Sequence, residues 1–363
     1  MDLPHNFFVF FILHKCICFN VPRQGQYTSP AFWVQNHQKK NFSGEYFMGD
    51  KIKIGVSACL LGHKVRFDGG HKHDRFITDT LGQHMDFFPV CPEVEVGFPV
   101  PRESLRLVGN PENPRLKTTK TDEDHTEGML NWAHARVMEL EKEKLCGFIF
   151  KSKSPSSGME RVKVYSEKGM PQKIGVGIFA RAFMDHFPLI PVEEEGRLHD
   201  PKLRENFIES IFALKKWRET TEKDRSLGSL VDFHTRQKLL LLSHSPTHYR
   251  NMGKLVAEGK KYSRDDLFSR YETQLLEALK LKTTLKKNIN VLQHILGYFK
   301  TQLSADEKQE VLEIIGQYRI GNVPLIVPIT LLNHFVRKYQ EPYLMKQTYL
   351  NPHPVDLKLR NHV

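Results

Sequence analysis

Three short motifs carry the side chains best suited to chemistry. Val56-Ser57-Ala58-Cys59-Leu60-Leu61-Gly62 closes the apolar run Ile52 to Val56, Val90-Cys91-Pro92-Glu93 closes Phe87 to Val90, and Lys153-Ser154-Pro155-Ser156-Ser157-Gly158 follows Phe148 to Phe150. In an open parallel sheet, ligands bind beyond the carboxyl ends of the strands. If the three apolar runs are neighbouring strands of one such sheet, the motifs share its carboxyl edge. Thiolates are soft ligands that suit iron–sulfur clusters and zinc. Strands lie about 4.8 Å apart, so Cys59 and Cys91 on adjacent strands are spaced to hold one small inorganic cluster. Taken singly, either cysteine reads equally well as an inert core thiol; the joint pattern favours a site.

The neighbours of the thiols extend the candidate site. Glu93 follows Cys91-Pro92 and is the candidate general acid or base. The turn at Ser154, Ser156 and Ser157 offers hydroxyls and amides that can hold an oxyanion, with Ser154 and Ser156 as candidate catalytic groups. Asp68, Gly69, Gly70, Arg102 and Lys153 are candidate substrate-binding residues; Arg66, Arg106 and Lys151 are further cations able to meet an anion. Asp68-Gly69-Gly70 is also a plain turn signal. Cys146 precedes the Phe148 run. At about 3.3 Å per residue it belongs at the far end of its strand, and it reads as a buried hydrophobe.

The elements that must position these residues follow from the pattern. From Lys51 to about Glu195, apolar runs alternate with helical stretches at 75–84, 123–145 and 177–186, and 161–165 reads as an edge strand. Residues 99–120, rich in Pro, Arg and Thr, read as a long loop with short extended pieces. This alternation predicts an α/β domain with a mainly parallel sheet. Beyond Pro201 the strands stop. Helices are expected at 203–221, 227–243, 248–258, 264–283, 287–299, 305–318 and 325–339, with Ser304 as an N-cap. The predicted organisation is an extension at 1–47, an α/β domain at 48–218 and an all-α domain at 227–363. His234, His244 and His248 are expected to be structural, with Pro246 breaking the helix between the last two.

The chain has 363 residues, 40% of them hydrophobic and 26% charged, with a net charge of +11. This composition suits packed domains and excludes wholesale disorder. Residues 218–363 carry +8 of the net charge, which permits contact with nucleic acid, although no helix-turn-helix or zinc-finger signature is present. Five scattered cysteines exclude a disulfide framework and point to a reducing cytoplasm. The apolar run Phe7 to Leu13 is too short to span a bilayer. Met48 reads as a start, and residues 1–47, with Cys16 and Cys18, as a poorly ordered extension or a gene-start error.

The motifs, taken with Arg66-Phe67-Asp68-Gly69-Gly70 and Pro101-Arg102, resemble the domain of unknown function 523, some members of which are thiouracil desulfurases. Asp232-Phe233-His234-Thr235-Arg236-Gln237-Lys238-Leu239 and Ser243-His244-Ser245 resemble the domain of unknown function 1722. The first resemblance implies a [4Fe-4S] cluster held by three cysteines, with an iron open to the sulfur of a thio-nucleobase. Cys59 and Cys91 match two ligand positions. The third falls within Ser-Pro-Ser-Cys-Gly, where this chain has Ser157, a harder and more basic donor. Two other functions compete: a non-enzymatic nucleotide or nucleic-acid binder, and a zinc protein using Cys59, Cys91 and His71 or His73.

Overall fold

The computed structural model describes residues 51–166 and 168–362. The expectations for residues 1–47, for Met48 and for Cys16 and Cys18 lie outside them. Eight strands are present among the described residues: β1 (Ile52–Ser57), β2 (Met85–Val90), β3 (Leu105–Val108), β4 (Arg115–Thr118), β5 (Phe148–Phe150), β6 (Val162–Tyr165), β7 (Pro171–Gly175) and β8 (Val192–Glu194). They form two sheets. The first has the order β2-β1-β5-β8, and every pairing in it is parallel. The N-terminal part is therefore α/β about a parallel sheet, as its alternating pattern predicts.

The second sheet, β4-β3-β6-β7, is where the structure departs from the expected long loop. β3 pairs antiparallel with β4 and parallel with β6, and β6 pairs antiparallel with β7. Its inner face is thin. Leu107 and Leu116 are register partners and share a small core with Val162, Val164, Met129 and Ile178. The expected helix at 75–84 is also irregular: a wide π turn at Phe76–Thr80 runs into a 3₁₀ turn at Leu81–Gln83. Ile77 and Leu81, four apart and both fully buried, anchor it.

The helices that cover the first sheet explain its orientation. α1 (Pro92–Glu95) is a single turn; α2 (Thr126–Leu140) and α3 (Ile178–His186) pack together. Ala133, Val137 and Leu140 of α2 and Phe179 and Phe183 of α3 bury one face of the sheet through Phe148 and Phe150. The other face, through Ile52, Ile54, Val56 and Ile149, meets α4 (Pro201–Lys223) at Phe207, Ile208 and Ile211. Gly55 lets β1 and β5 pack this closely: a Cβ there would lie 2.2 Å from the Phe148 ring. Cys146 belongs to the α4-side core, and its amide bonds to the Lys53 carbonyl near the start of β1.

From α4 onward the described residues are helical: α5 (Leu227–His244), α6 (Pro246–Ala257), α7 (Arg264–Lys280), α8 (Leu285–Gly297), α9 (Ala305–Arg319) and α10 (Ile326–Lys338). Pro246 ends one helix and opens the next, its missing N–H harmless at the first helical position. Ser304 forms a capping box with Glu307. The core that starts at Ile52 runs without interruption through these helices to Leu359. No helix among the described residues is long and apolar enough to cross a membrane.

Candidate active site

Strand register decides where the motifs fall. Ser57, the last residue of β1, is opposite Val90, the last of β2, and Val56 is opposite Ile149 of β5. The Ser57 hydroxyl accepts the Lys151 amide at 2.9 Å. Cys59, Cys91 and the segment after Phe150 therefore leave the sheet at one edge. Cys146 sits near the other end of the sheet, where Arg218 Nη1 lies 3.6 Å from its sulfur.

Glu93 joins the second motif to the third. Its Oε1 accepts the Ser156 hydroxyl at 2.6 Å, and Ser156 lies 3.0 Å from the Ser154 hydroxyl. Its Oε2 is 3.6 Å from Cys91 Sγ and 3.9 Å from Arg102 Nη2. Arg102 is nearly buried, with 8% side-chain exposure. It also donates to the Val65 carbonyl at 3.0 Å, while its own amide donates to the Phe67 carbonyl at 2.8 Å. The guanidinium thus fixes both Glu93 and the 62–75 loop that drapes over the edge.

The serine turn is built by its surroundings. α3 begins at its back, and the amides of Gly177, Ile178 and Ala180 donate to the carbonyls of Gly158, Pro155 and Ser156. This satisfies the free amides that open a helix. Only glycine fits at 177, because a Cβ would lie 2.5 Å from the Ser156 carbonyl carbon. Ser154 Oγ accepts the Ser157 amide at 3.1 Å. Ser156 and Ser157 are buried. On the far side, Glu194 Oε1 accepts the Met159 amide at 2.9 Å.

The two thiols are protonated in this setting. Burial pushes Cys59 up to about 11. Burial and then the Glu93 carboxylate push Cys91 up to about 12. Both would act as ligands only beside a positive centre, which strips a coordinating thiol of its proton.

The remaining candidates are placed as follows. Asp68 closes its own turn, accepting the Gly70 amide at 3.0 Å, with Gly69 at φ 73°; that bond and then Arg66 hold its carboxyl below the usual range. The turn reaches the edge through Phe67 and Val65 rather than through Asp68. Lys153 is exposed, beside the serine turn. Lys151 is spent on Glu195 and on Ser152. Arg106 lies on the second sheet, paired with Asp122. His73 contacts Thr78 and His71. No group of three or more His, Cys, Asp or Glu among the described residues is placed to hold a metal ion, so zinc held by the cysteines with His71 or His73 gains no support. Sequence reasoning missed Glu194 and Glu195. A run of three glutamates ending a three-residue strand gives no apolar signal, and only their position one strand beyond β5 brings them to the turn.

Comparison with known proteins agrees with this architecture. Residues 54–195 match the family model for 2-thiouracil desulfurase, and residues 238–354 match that for a protein of unknown function, DUF1722. The uncharacterized protein YbgA of Escherichia coli K12 is 32% identical over 152 residues, covering 42% of this chain and 90% of its own. The uncharacterized protein YbbK of Bacillus subtilis 168 is 29% identical over 110 residues, 29% of this chain and 72% of its own. Among solved structures, the [4Fe-4S]-dependent thiouracil desulfidase TudS is 29% identical, with 41% of this chain and 95% of that chain covered at a TM-score of 0.34. The chain belongs to the family that joins a 2-thiouracil desulfurase domain to a DUF1722 domain.

Proposed function

We propose that this protein is an iron–sulfur-type desulfurase that replaces the sulfur of a thiolated nucleobase with oxygen. The observation that carries this is the Cys91–Glu93–Ser156 array on the edge that also receives Cys59, within the segment matching the desulfurase family. The fit to a cluster is partial. Two thiols on adjacent strand ends suit iron, and Cys59 and Cys91 would hold the group. Ser157 supplies an oxygen where a third thiolate belongs, so the three-thiolate set is incomplete. Such a group, when bound, supplies a soft iron position that takes sulfur.

Exchanging a thiocarbonyl sulfur for oxygen consumes one water and releases sulfide, so a proton must leave the water and reach the departing sulfur. Glu93 is placed to take that proton, with Ser156 and Ser154 as relay hydroxyls. Arg102 holds the carboxylate in position. Lys153 and the amides of the serine turn would meet the carbonyl oxygens of the base. The helical part, with +8 of the net charge, would bind the nucleic acid or nucleotide that carries the base. The free thiols suit a reducing cytoplasm.

The test is sulfide release from 2-thiouracil and from a thiolated nucleoside by anaerobically reconstituted protein. Activity lost in Glu93→Gln supports the proposal. No release by wild type, or release untouched by Glu93→Gln, overturns it. Ser157 favours a second function, a non-enzymatic nucleic-acid binder derived from such an enzyme. Colourless protein that retains RNA in a salt-sensitive manner, without sulfide release, would establish that alternative.

A further inference from the structure

A buried ionic cluster stands apart from the strand-end site. Glu205 and Glu209, one turn apart on α4, both bond Arg360, which reaches them from the segment 348–362. Arg360 Nη2 is 2.6 Å from Glu209 Oε1, and its Nε is 3.1 Å from Glu205 Oε1. Its Nη1 donates to the Tyr349 carbonyl at 2.6 Å, and its guanidinium lies 4.8 Å from the Tyr349 ring centroid. Only 4% of Arg360, 9% of Glu205 and 1% of Glu209 side chain is exposed. The segment is tied elsewhere too: Asp356 pairs with His84, one residue before β2, at 3.0 Å, and the Arg360 carbonyl accepts the Ile326 amide of α10.

The hydrogen-bond geometry demands a proton that Arg360 does not supply. His244 of α5 directs Nδ1 at the Leu281 carbonyl, 2.8 Å away, and Nε2 at Glu209 Oε2, 3.3 Å away. Both ring nitrogens face acceptors. Either the ring is an imidazolium or a carboxyl carries the proton between them. In each case two buried carboxylates and one guanidinium are balanced only with that extra proton present. The other groups facing the cluster are His353 and His362 from the same segment, Lys216, and the phenols of Tyr318 and Tyr349. Burial drives His353 down to about 4, so it stays neutral.

We propose that Thr348–His362 is a proton-gated strap: Arg360 locks it onto α4 while the Glu205, Glu209 and His244 cluster holds its shared proton, and loss of that proton loosens it. Burial and then the neighbouring Glu209 push Glu205 up to about 8. For Glu209, the upward push of burial is outweighed by Arg360 and His244, which hold it down. A carboxyl raised in the folded state stabilises it at low pH and loses that contribution as pH climbs through the raised value. The strap therefore loosens on the alkaline side.

The test is hydrogen–deuterium exchange of the full chain, read on peptides covering 348–362 and corrected for the intrinsic rate. One proton released near pH 8 predicts an opening equilibrium about tenfold larger at about pH 9 than at about pH 7. Glu205→Gln, a permanent mimic of the protonated acid, is expected to abolish the difference. Wild-type protection that is flat over this range, or a Glu205→Gln response equal to wild type, overturns the proposal. Arg360→Gln is expected to expose the strap at both pH values; full protection in that variant also overturns it. None of these readouts depends on desulfurase activity.

Discussion

Replacing Glu93 with glutamine should make Cys91 more reactive, although it removes a neighbour rather than adding one. Glu93 Oε2 lies 3.6 Å from Cys91 Sγ. A negative charge at that distance opposes a thiolate by roughly 1 to 4 kcal/mol for effective dielectrics between about 80 and 20. That corresponds to about one to three pKa units. Loss of the carboxylate also leaves Arg102 uncompensated beside the thiol, an effect of the same sign. The Cys91 pKa should fall from about 12, with burial still holding it above a free cysteine. Attack on a disulfide rises less than the thiolate fraction does, because nucleophilicity falls with pKa at a Brønsted slope near 0.4–0.5. The net gain is about 3-fold per unit, so about 3- to 40-fold in all. The assay is labelling of metal-free, reduced protein with an aromatic disulfide near pH 8, resolved by peptide mass mapping. Cys59, for which Glu93 matters less than burial and Lys151, should change less, and Cys146 not at all. An unchanged or slower Cys91 rate in folded Glu93→Gln protein would refute the electrostatic account of the edge.

Gly177→Ala should destabilise the protein by about 1–3 kcal/mol, because the added methyl overlaps the Ser156 backbone and no flexible side chain can yield; thermal melting checks this, and an unaltered melting curve contradicts the packing described. His234, driven down to about 4 by burial, is bound as a neutral ring. The fold should lose up to roughly 3 kcal/mol as pH falls from about 6.5 to about 4, and His234→Gln should flatten that part of the pH profile in urea melts. Cys146→Ala should cost about 1 kcal/mol of stability and leave Cys59 and Cys91 labelling unchanged, since Cys146 lies near the other end of the sheet.

The legible parts of the fold were those where an apolar run ends abruptly. β1, β2 and β5 each stop at Ser, Cys or Lys, so their carboxyl ends can be found without coordinates. The helices after Pro201 were visible for the same kind of reason: long apolar periodicity, and caps such as Ser304. The second sheet was hidden because β3 and β4 each bury little beyond Leu107 and Leu116, and β7 is almost wholly exposed. β8 was hidden because Glu193 and Glu194 are buried by pairing with Arg197 and with the Met159 amide, which no hydrophobic pattern records. At the site, residue types were readable but partnerships were not. Arg102 reads as a ligand-binding cation, yet its donors are engaged by Val65 and Glu93 across stretches of loop that only folding brings together. The Arg360 cluster is more distant still, since Glu205 and Arg360 are 155 residues apart.

Anaerobic iron and acid-labile sulfide analysis after reconstitution bears most directly on the central claim, that Cys59 and Cys91 hold a soft metal group whose third donor is Ser157. Wild type should bind substoichiometric iron and sulfide, Ser157→Cys should bind a full cluster's worth, and Cys59→Ser or Cys91→Ser should bind almost none. Iron retained without both thiols, or a Ser157→Cys protein that gains nothing over wild type, would contradict it.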